Sequence, residues 1–429
     1  MYQSIGSFHS DNINELLKRA ELPIRHPFSV ESNAPSAERF KTIPFGANEY
    51  RSQYYMLDST WNFLNHGAFG ACTQYAFELS TEWRRHIEKQ PLRFMDRELM
   101  PFLASSIKSL CVFINADVHD TVLLQNATTG LNAVIQSLPV EEHETILCFD
   151  TSYGSVKKML QHKCDERSAR LHQIPFQRFT SKEEMAMLLQ ETIDGLPNKI
   201  SFILLDHVSS NTGLTFPLEV LVPICRKHDI PVVIDGAHGP LNLPLNLDTL
   251  KADYYVGNCH KWLSSPKGCA FLHVHPLAKC KNIRPCIISH GYDDGFSNAF
   301  LWDGLRDTTA ALTIADCIAQ WEVLGTDRVR QYIHQLVYDA GHLLADMWQT
   351  ELLYDRPFIS SMALVRLPFS TGNDTSNDAK AVQDRLHYDH QTEVPIKAID
   401  GNLYVRISGH IYNKLSDYEK LGSVVNNWL

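Results

Sequence analysis

Lys261 sits in "GNCHKWLSSPKG" (257–268), directly after the apolar run "ADYYVGN", between His260 and Trp262. A lysine desolvated there has its pKa lowered and becomes a nucleophilic amine, suited to forming a Schiff base with an aldehyde. A lysine whose stem lies along the indole while its head reaches water has the same local sequence. Asp235 in "PVVIDGAHGPLN" ends another apolar run, and His238 follows it. A carboxylate at such depth is costly unless it is paired with a cation. In "LLQNATTGLNAV", Ala127, Thr128, Thr129 and Gly130 open a helix after a strand. Backbone N–H groups and hydroxyls at a helix start hold phosphate, although an ordinary threonine cap reads the same way. Tyr153 in "DTSYGSVK" follows a further strand and offers a flat face.

These residues need elements that bring them together. Between residues 61 and 275 the chain alternates strand-like and helix-like stretches. The strand candidates are "DTVLLQ" (120–125), "ETILCFD" (144–150), "ARLHQIPF" (169–176), "ISFILLD" (200–206), "IPVVIDG" (230–236), "ADYYVGN" (252–258) and "CAFLHVH" (269–275). Most are continuous apolar runs, as expected of strands covered on both faces. Alternation with helices predicts an α/β fold with a mostly parallel, right-handed doubly wound sheet, whose ligands gather at the carboxyl ends of the strands. The polar motifs fall at those ends. Residues 1–60 read as a short helix and an extended arm. Beyond about residue 315, long helical patterns and weaker strands ("SSMALVRLP", "NLYVRIS") predict a smaller α+β domain. The expected division is therefore 1–60, 61–315 and 316–429.

Composition narrows the function. The 429 residues carry a net charge of −10 and no block of Lys or Arg, so nucleic acid and anionic membranes are unlikely partners. Ten scattered cysteines, with no C-x-x-C pair, fit free thiols in a reducing compartment rather than a disulfide framework or a zinc site. No apolar run reaches membrane-span length, and the N-terminus lacks an apolar signal core. A cytoplasmic protein without a metal is the expectation.

A buried amine, a buried carboxylate, a phosphate cradle and a stacking ring, each at a strand end, match the needs of pyridoxal phosphate. With "FLNHGAFG" (63–70), "NATTGLNAV" (126–134), "DTSYGSVK" (150–157), "DHVSSNTGLTFP" (206–217), "VVIDGAHGP" (232–240), "GNCHKWLSSPKG", "WDGLRDTTA" (302–310) and "VRISGHIYN" (405–413), the chain resembles class V, fold type I pyridoxal-phosphate enzymes. The branch is the isopenicillin N epimerase-like one, which also holds hercynylcysteine sulfoxide lyases and cysteine desulfhydrases. The resemblance implies a large domain with a seven-stranded, mostly parallel sheet between helices, and a homodimer with shared active sites. It further implies that Lys261 forms the Schiff base and that Asp235 pairs the pyridinium nitrogen. His238 and Ser210 are placed near the ring's phenolic oxygen, and Tyr153 on the ring face. Thr128, the backbone at Thr129 and His260 are expected to hold the phosphate. Arg406 is expected to fork onto the substrate's α-carboxylate, which suits guanidinium geometry. Asn65, His66 and Arg93 would line the substrate mouth.

Two departures from the family pattern bear on the reaction. Relatives show Gly-Thr-Arg-Asp in the inter-subunit loop, where this chain has Leu305, so one phosphate contact would be lost or shifted to Thr308. Desulfurases of this class carry a cysteine near the substrate arginine, yet here no cysteine follows Cys317. A persulfide relay is therefore disfavoured, and β-elimination from a cysteine-type substrate is the expected reaction. Epimerisation is the alternative and needs a second acid opposite Lys261, for which His66, Tyr292 and Tyr412 are the candidates. A cofactor-binding dimer without turnover is a third reading.

Overall fold

The computed structural model describes residues 2–5, 8–28, 36–175 and 177–428. All seven expected strands form: β1 (Thr121–Leu124), β2 (Thr145–Phe149), β3 (Arg170–Ile174), β4 (Ile200–Asp206), β5 (Val232–Gly236), β6 (Tyr254–Asn258) and β7 (Ala270–Val274). They make one sheet in the order β1-β7-β6-β5-β4-β2-β3. β7 alone runs antiparallel, to both β1 and β6, while the pairings among β2 to β6 are parallel. The apolar runs explain the two-sided burial. Ile203 and Leu205 of β4 join one core cluster, and Phe202 and Leu204 join the cluster on the opposite face. Successive side chains of a strand point to opposite faces, so a run without polar breaks feeds both.

Helices α1 (Ala127–Ser137) and α2 (Gly154–Arg167) begin directly after the site motifs. α1 packs very tightly: a Cβ on Gly130 would stand 2.7 Å from side-chain atoms of both Leu124 and Val256. Only glycine lets the start of the helix sink this far onto the sheet.

The C-terminal part forms a three-stranded antiparallel sheet of β8 (Met362–Arg366), β9 (Ile396–Ile399) and β10 (Asn402–Ser408), in the order β8-β10-β9. One face packs Val405 and Ile407 against Leu336, Leu344 and Leu421. The other, carrying Leu364 and Tyr404, joins the core of the large sheet. Arg406 alternates with Tyr404 and therefore lies on that inner face. Helix α3 (Ile314–Leu324), just at the expected boundary, buries Ile318 and Trp321 in the same large core. The packing of the smaller sheet draws instead on the following helix, α4 (Thr326–Trp348), and on α5 (Leu415–Asn426).

The expected N-terminal helix is Ile13–Arg19, which packs with the helix Leu99–Ile114. The arm "HPFSVESNAPSAERF" lies partly in 29–35, outside the described residues. Tyr50, Tyr54 and Tyr55 beyond it are fully buried. The segment Asn62–Phe63 pairs in parallel with Thr392–Glu393, and this long-range pairing carries Asn65 to the C-terminal sheet.

Candidate active site

Asp235, Asn258 and Lys261 come together because β5 and β6 are neighbours that end side by side. The Lys261 amine lies 3.0 Å from His238 Nε2. The indole N–H of Trp262 donates to His238 Nδ1 at 3.1 Å. An indole can only donate, so Nδ1 accepts and the neutral imidazole carries its proton on Nε2. That proton points at the amine's lone pair. Burial first, then the Lys261 charge, holds His238 well below the usual imidazole range. Burial likewise pulls the Lys261 amine from 10.5 to about 8, opposed by Asp235. Both shifts favour a free-base amine. Gly70 presses against this loop with φ +68°; a Cβ there would lie 2.3 Å from the His260 carbonyl oxygen.

Asp235 Oδ1 accepts from the Ala237 N–H at 3.0 Å. Its carboxyl is raised by burial and lowered by that bond and by Lys261. Asp206 stands beside it in register on β4 and accepts from Ser152 Oγ at 2.8 Å. Burial, with Asp235 next to it, pushes Asp206 up to about 7. Two carboxylates so buried do not both ionise unless a cation joins them.

The start of α1 is more committed than its sequence suggests. Ala127 N–H donates to Asn258 Oδ1, and Thr129 N–H to Asn126 Oδ1, each at 2.9 Å. The Thr129 hydroxyl also donates to Asn126. Thr129 is therefore an internal cap, which corrects its expected phosphate role; Thr128 is the residue left exposed on this turn. His260 Nδ1 lies 3.1 Å from the Cys269 carbonyl and donates to it, so the neutral ring turns a bare Nε2 outward. Burial lowers this ring to about 4, and it becomes a phosphate donor only on taking up a proton. Gln125, Asn126, His260, Lys267, Arg84 and Arg306 line a cavity of about 400 Å³ here. Arg84 is paired with Asp307 and Arg306 with Asp303. Among the described residues Lys267 reaches only the Gly70 carbonyl, at 3.1 Å. Thr308 keeps its hydroxyl buried without a partner among the described residues and lines a different cavity, with Leu123 and Trp302.

Arg406 forms the opposite end. It is 4% exposed and pairs with no acidic group among the described residues. Nη1 donates to the Ser210 carbonyl, Nη2 to Asn65 Oδ1 at 3.1 Å, and Nε has no partner. Asn65 Nδ2 in turn donates to Glu393 at 3.2 Å, and Glu393 holds His387 at 3.0 Å. Desolvation lowers the guanidinium to about 10. A buried cation without a counter-ion is an expensive arrangement that a ligand carboxylate relieves.

Three expected site residues stand elsewhere. His66 is fully buried. Its Nε2–H donates to the Lys261 carbonyl at 3.0 Å, and its Nδ1 accepts from Tyr412 Oη at 2.9 Å. It props the Lys261 loop from behind and does not line the mouth. Arg93 is half-exposed and paired with Glu98, outside the constellation. Ser210 contributes its backbone carbonyl to Arg406. Tyr153 stands at the N-cap position of α2 and is 45% exposed, which leaves it open for stacking. Among the described residues no cluster of His, Cys, Asp or Glu could hold a metal ion, and no helix is long and apolar enough to cross a membrane.

Sequence reading missed Asp206, Asn258 and Lys267. Asp206 had a signal, since "ISFILLD" ends as "PVVID" does. The donor set suits pyridoxal phosphate: an amine of lowered pKa, a buried carboxylate that a cation would stabilise, a lysine-lined cavity at a helix start, and a guanidinium without an acidic partner among the described residues.

The match to known proteins agrees. Residues 103–295 match the model of the aminotransferase class-V family. Isopenicillin N epimerase of Streptomyces clavuligerus is 30% identical over 374 residues, 81% of this chain and 92% of that protein. A probable chloroplastic L-cysteine desulfhydrase of Arabidopsis thaliana is 28% identical over 406 residues, 89% of this chain and 85% of that one. A cystine C–S lyase, solved in complex with its reaction product cysteine persulfide, gives a TM-score of 0.74 at 19% identity. The match covers 86% of this chain and 97% of that chain. At that identity the agreement is one of fold.

Proposed function

This chain belongs to the class-V aminotransferase family of pyridoxal-phosphate enzymes, and on that premise we propose that it is a carbon–sulfur lyase. The reaction is β-elimination from a cysteine-type amino acid. With L-cysteine and water the products are sulfide, pyruvate and ammonia. Bound pyridoxal phosphate supplies an aldehyde that joins the substrate amine and a ring that takes up the electron pair left by the α-proton. The residues divide the remaining work. Asp235 would keep the ring nitrogen protonated, Thr128 and Lys267 would hold the phosphate, and Tyr153 would cover the ring. Arg406 holds the α-carboxylate with Nε and Nη2, steered by Asn65. Lys261, as a free amine, would take the α-proton; its pKa of about 8 suits that task. It can return the proton to the departing sulfur.

The observation that carries elimination over epimerisation is the His66–Tyr412 pair. Inversion needs an acid on the face opposite Lys261. The His66 proton is held by the Lys261 carbonyl, and the Tyr412 proton is directed at His66. Neither residue has a proton aimed at substrate. Tyr292 lines a separate cavity with Arg284 and Phe296. Burial also pushes the Cys72 thiol up to about 12, against a persulfide relay.

The same proposal includes a homodimer. Leu305, Phe69 and Tyr292 are 76%, 75% and 60% exposed, and large apolar side chains left open in this way suit a subunit contact. Ten free thiols support a reducing compartment such as the cytoplasm. The test is a proton NMR time course in D2O with holoenzyme and L-cysteine. Growth of a pyruvate signal is expected. Loss of the α-proton signal from an otherwise intact amino acid overturns elimination in favour of epimerisation.

A further inference from the structure

Arg406 has no acidic partner of its own among the described residues, yet a carboxylate stands one side chain away. Glu393 Oε1 accepts from Asn65 Nδ2 at 3.2 Å, and Asn65 Oδ1 accepts from Arg406 Nη2 at 3.1 Å. A guanidinium can only donate, and an ionised carboxylate can only accept. An amide offers an acceptor at one end and a donor at the other, so it joins the two in a single orientation. Turned over, Asn65 would set its N–H groups against Arg406 and its oxygen against Glu393. The two charged groups together fix which end of Asn65 faces the arginine.

The backbone holds all three residues in place. Leu64 N–H donates to the Glu393 carbonyl at 3.0 Å, and Phe63 pairs with Glu393 in parallel, which brings Asn65 alongside. Arg406 N–H donates at 3.0 Å to the carbonyl of Pro395, close along the chain from Glu393. Glu393 is also anchored from its far side. Its Oε2 accepts from His387 Nδ1 at 3.0 Å, and the His387 ring lies against Trp61 with 4.6 Å between centroids. A simple surface pair of Glu393 with His387 would contribute little and would leave Asn65 out; here the other carboxylate oxygen is committed to Asn65. An acid placed directly on Arg406 would compete with a substrate carboxylate. An acid set behind an amide steadies the arginine and leaves its charge for the ligand.

We propose that Glu393 is a positioning residue for substrate binding, acting through Asn65 to hold Arg406 in the orientation that receives the α-carboxylate. This deepens the reading of Arg406 as the α-carboxylate holder and rests on it.

The test uses the holoenzyme and two amines, L-alanine and ethylamine, which differ only in the carboxylate and carry nothing to eliminate. Dissociation constants come from the change in cofactor absorbance. The native protein is expected to prefer L-alanine. Glu393→Ala should weaken L-alanine about fivefold and leave ethylamine unchanged. Glu393→Gln keeps an acceptor for Asn65 and should restore most of the preference. In an Asn65→Ala background, Glu393→Ala should add no further loss, because a residue that acts through another has no effect once that other is gone. A native preference that Glu393→Ala leaves intact overturns the proposal. Equal weakening of both amines, a Glu393→Gln protein as weak as Glu393→Ala, or a full further loss in the Asn65→Ala background also overturns it. No preference in the native protein overturns the Arg406 reading and the proposal with it. The expected pattern without pyruvate from L-cysteine overturns elimination and still supports the role of Glu393.

Discussion

Lys261 and Arg406 are both buried basic groups at the same site, yet only Lys261 has a carboxylate near it to oppose the loss of its charge. Lys261 grows from the parallel sheet, whose strands deliver Asp235 and Asp206 to the same edge. Arg406 stands on the antiparallel sheet, held by a backbone carbonyl and an amide oxygen. At the Lys261 end the protein lowers the amine's pKa and aims a neutral imidazole at it. At the Arg406 end it positions a charge and leaves it unpaired. The first end is prepared for covalent chemistry, the second for an incoming anion.

Several changes sharpen or break that contrast. The largest effect belongs to Lys261→Ala, which removes both the covalent anchor and the base. Sulfide release is expected to fall by on the order of 10⁴-fold or more. Arg406→Met comes next, with kcat/KM lowered about 10²- to 10³-fold as a desolvated ion pair with substrate is lost. The same change should stabilise the cofactor-free protein, because a buried unpaired charge disappears. A thermal melt of that form checks this; a lower midpoint would mean that Arg406 is structural. Lys261 sets a pH signature as well. The free base grows as pH rises through about 8, so cofactor attachment should slow about tenfold per unit below that point.

Asp206 gives a smaller, opposite signature. Its folded pKa of about 7 lies above the unfolded value near 3.8. The folded state then holds the extra proton between those values, so stability is full below the lower one and declines as pH rises to the upper. Asp206→Asn should flatten this part of a denaturation profile measured without cofactor. Asn65→Ala removes one neutral acceptor from Arg406, and a roughly five- to tenfold rise in KM follows from a single hydrogen bond.

The two ends also differed in how plainly the sequence showed them. Strand ends announce themselves as apolar runs closed by a polar residue, so Asp235, His238 and Lys261 were visible, and their sheet formed as expected. Asp206 was equally visible but was read only as the end of a strand. The Arg406 end depends on contacts between distant segments. Asn65 reaches Arg406 through the pairing of Asn62–Phe63 with Thr392–Glu393, and no local pattern encodes that. His66 was expected at the mouth because its motif adjoins the site, but neighbourhood does not say on which side of the Lys261 loop a ring lies. Thr129 was misjudged because a capping asparagine and an anion compete for the same N–H.

The central claim is that the two ends act separately, Lys261 for the cofactor and Arg406 for the substrate. The direct measurement is a spectral titration of Arg406→Met, first with pyridoxal phosphate and then with L-cysteine. The account predicts native-like cofactor binding, with the response to L-cysteine shifted about a hundredfold or more to higher concentration. Cofactor affinity that collapses with the substitution, or an unchanged response to L-cysteine, would contradict it.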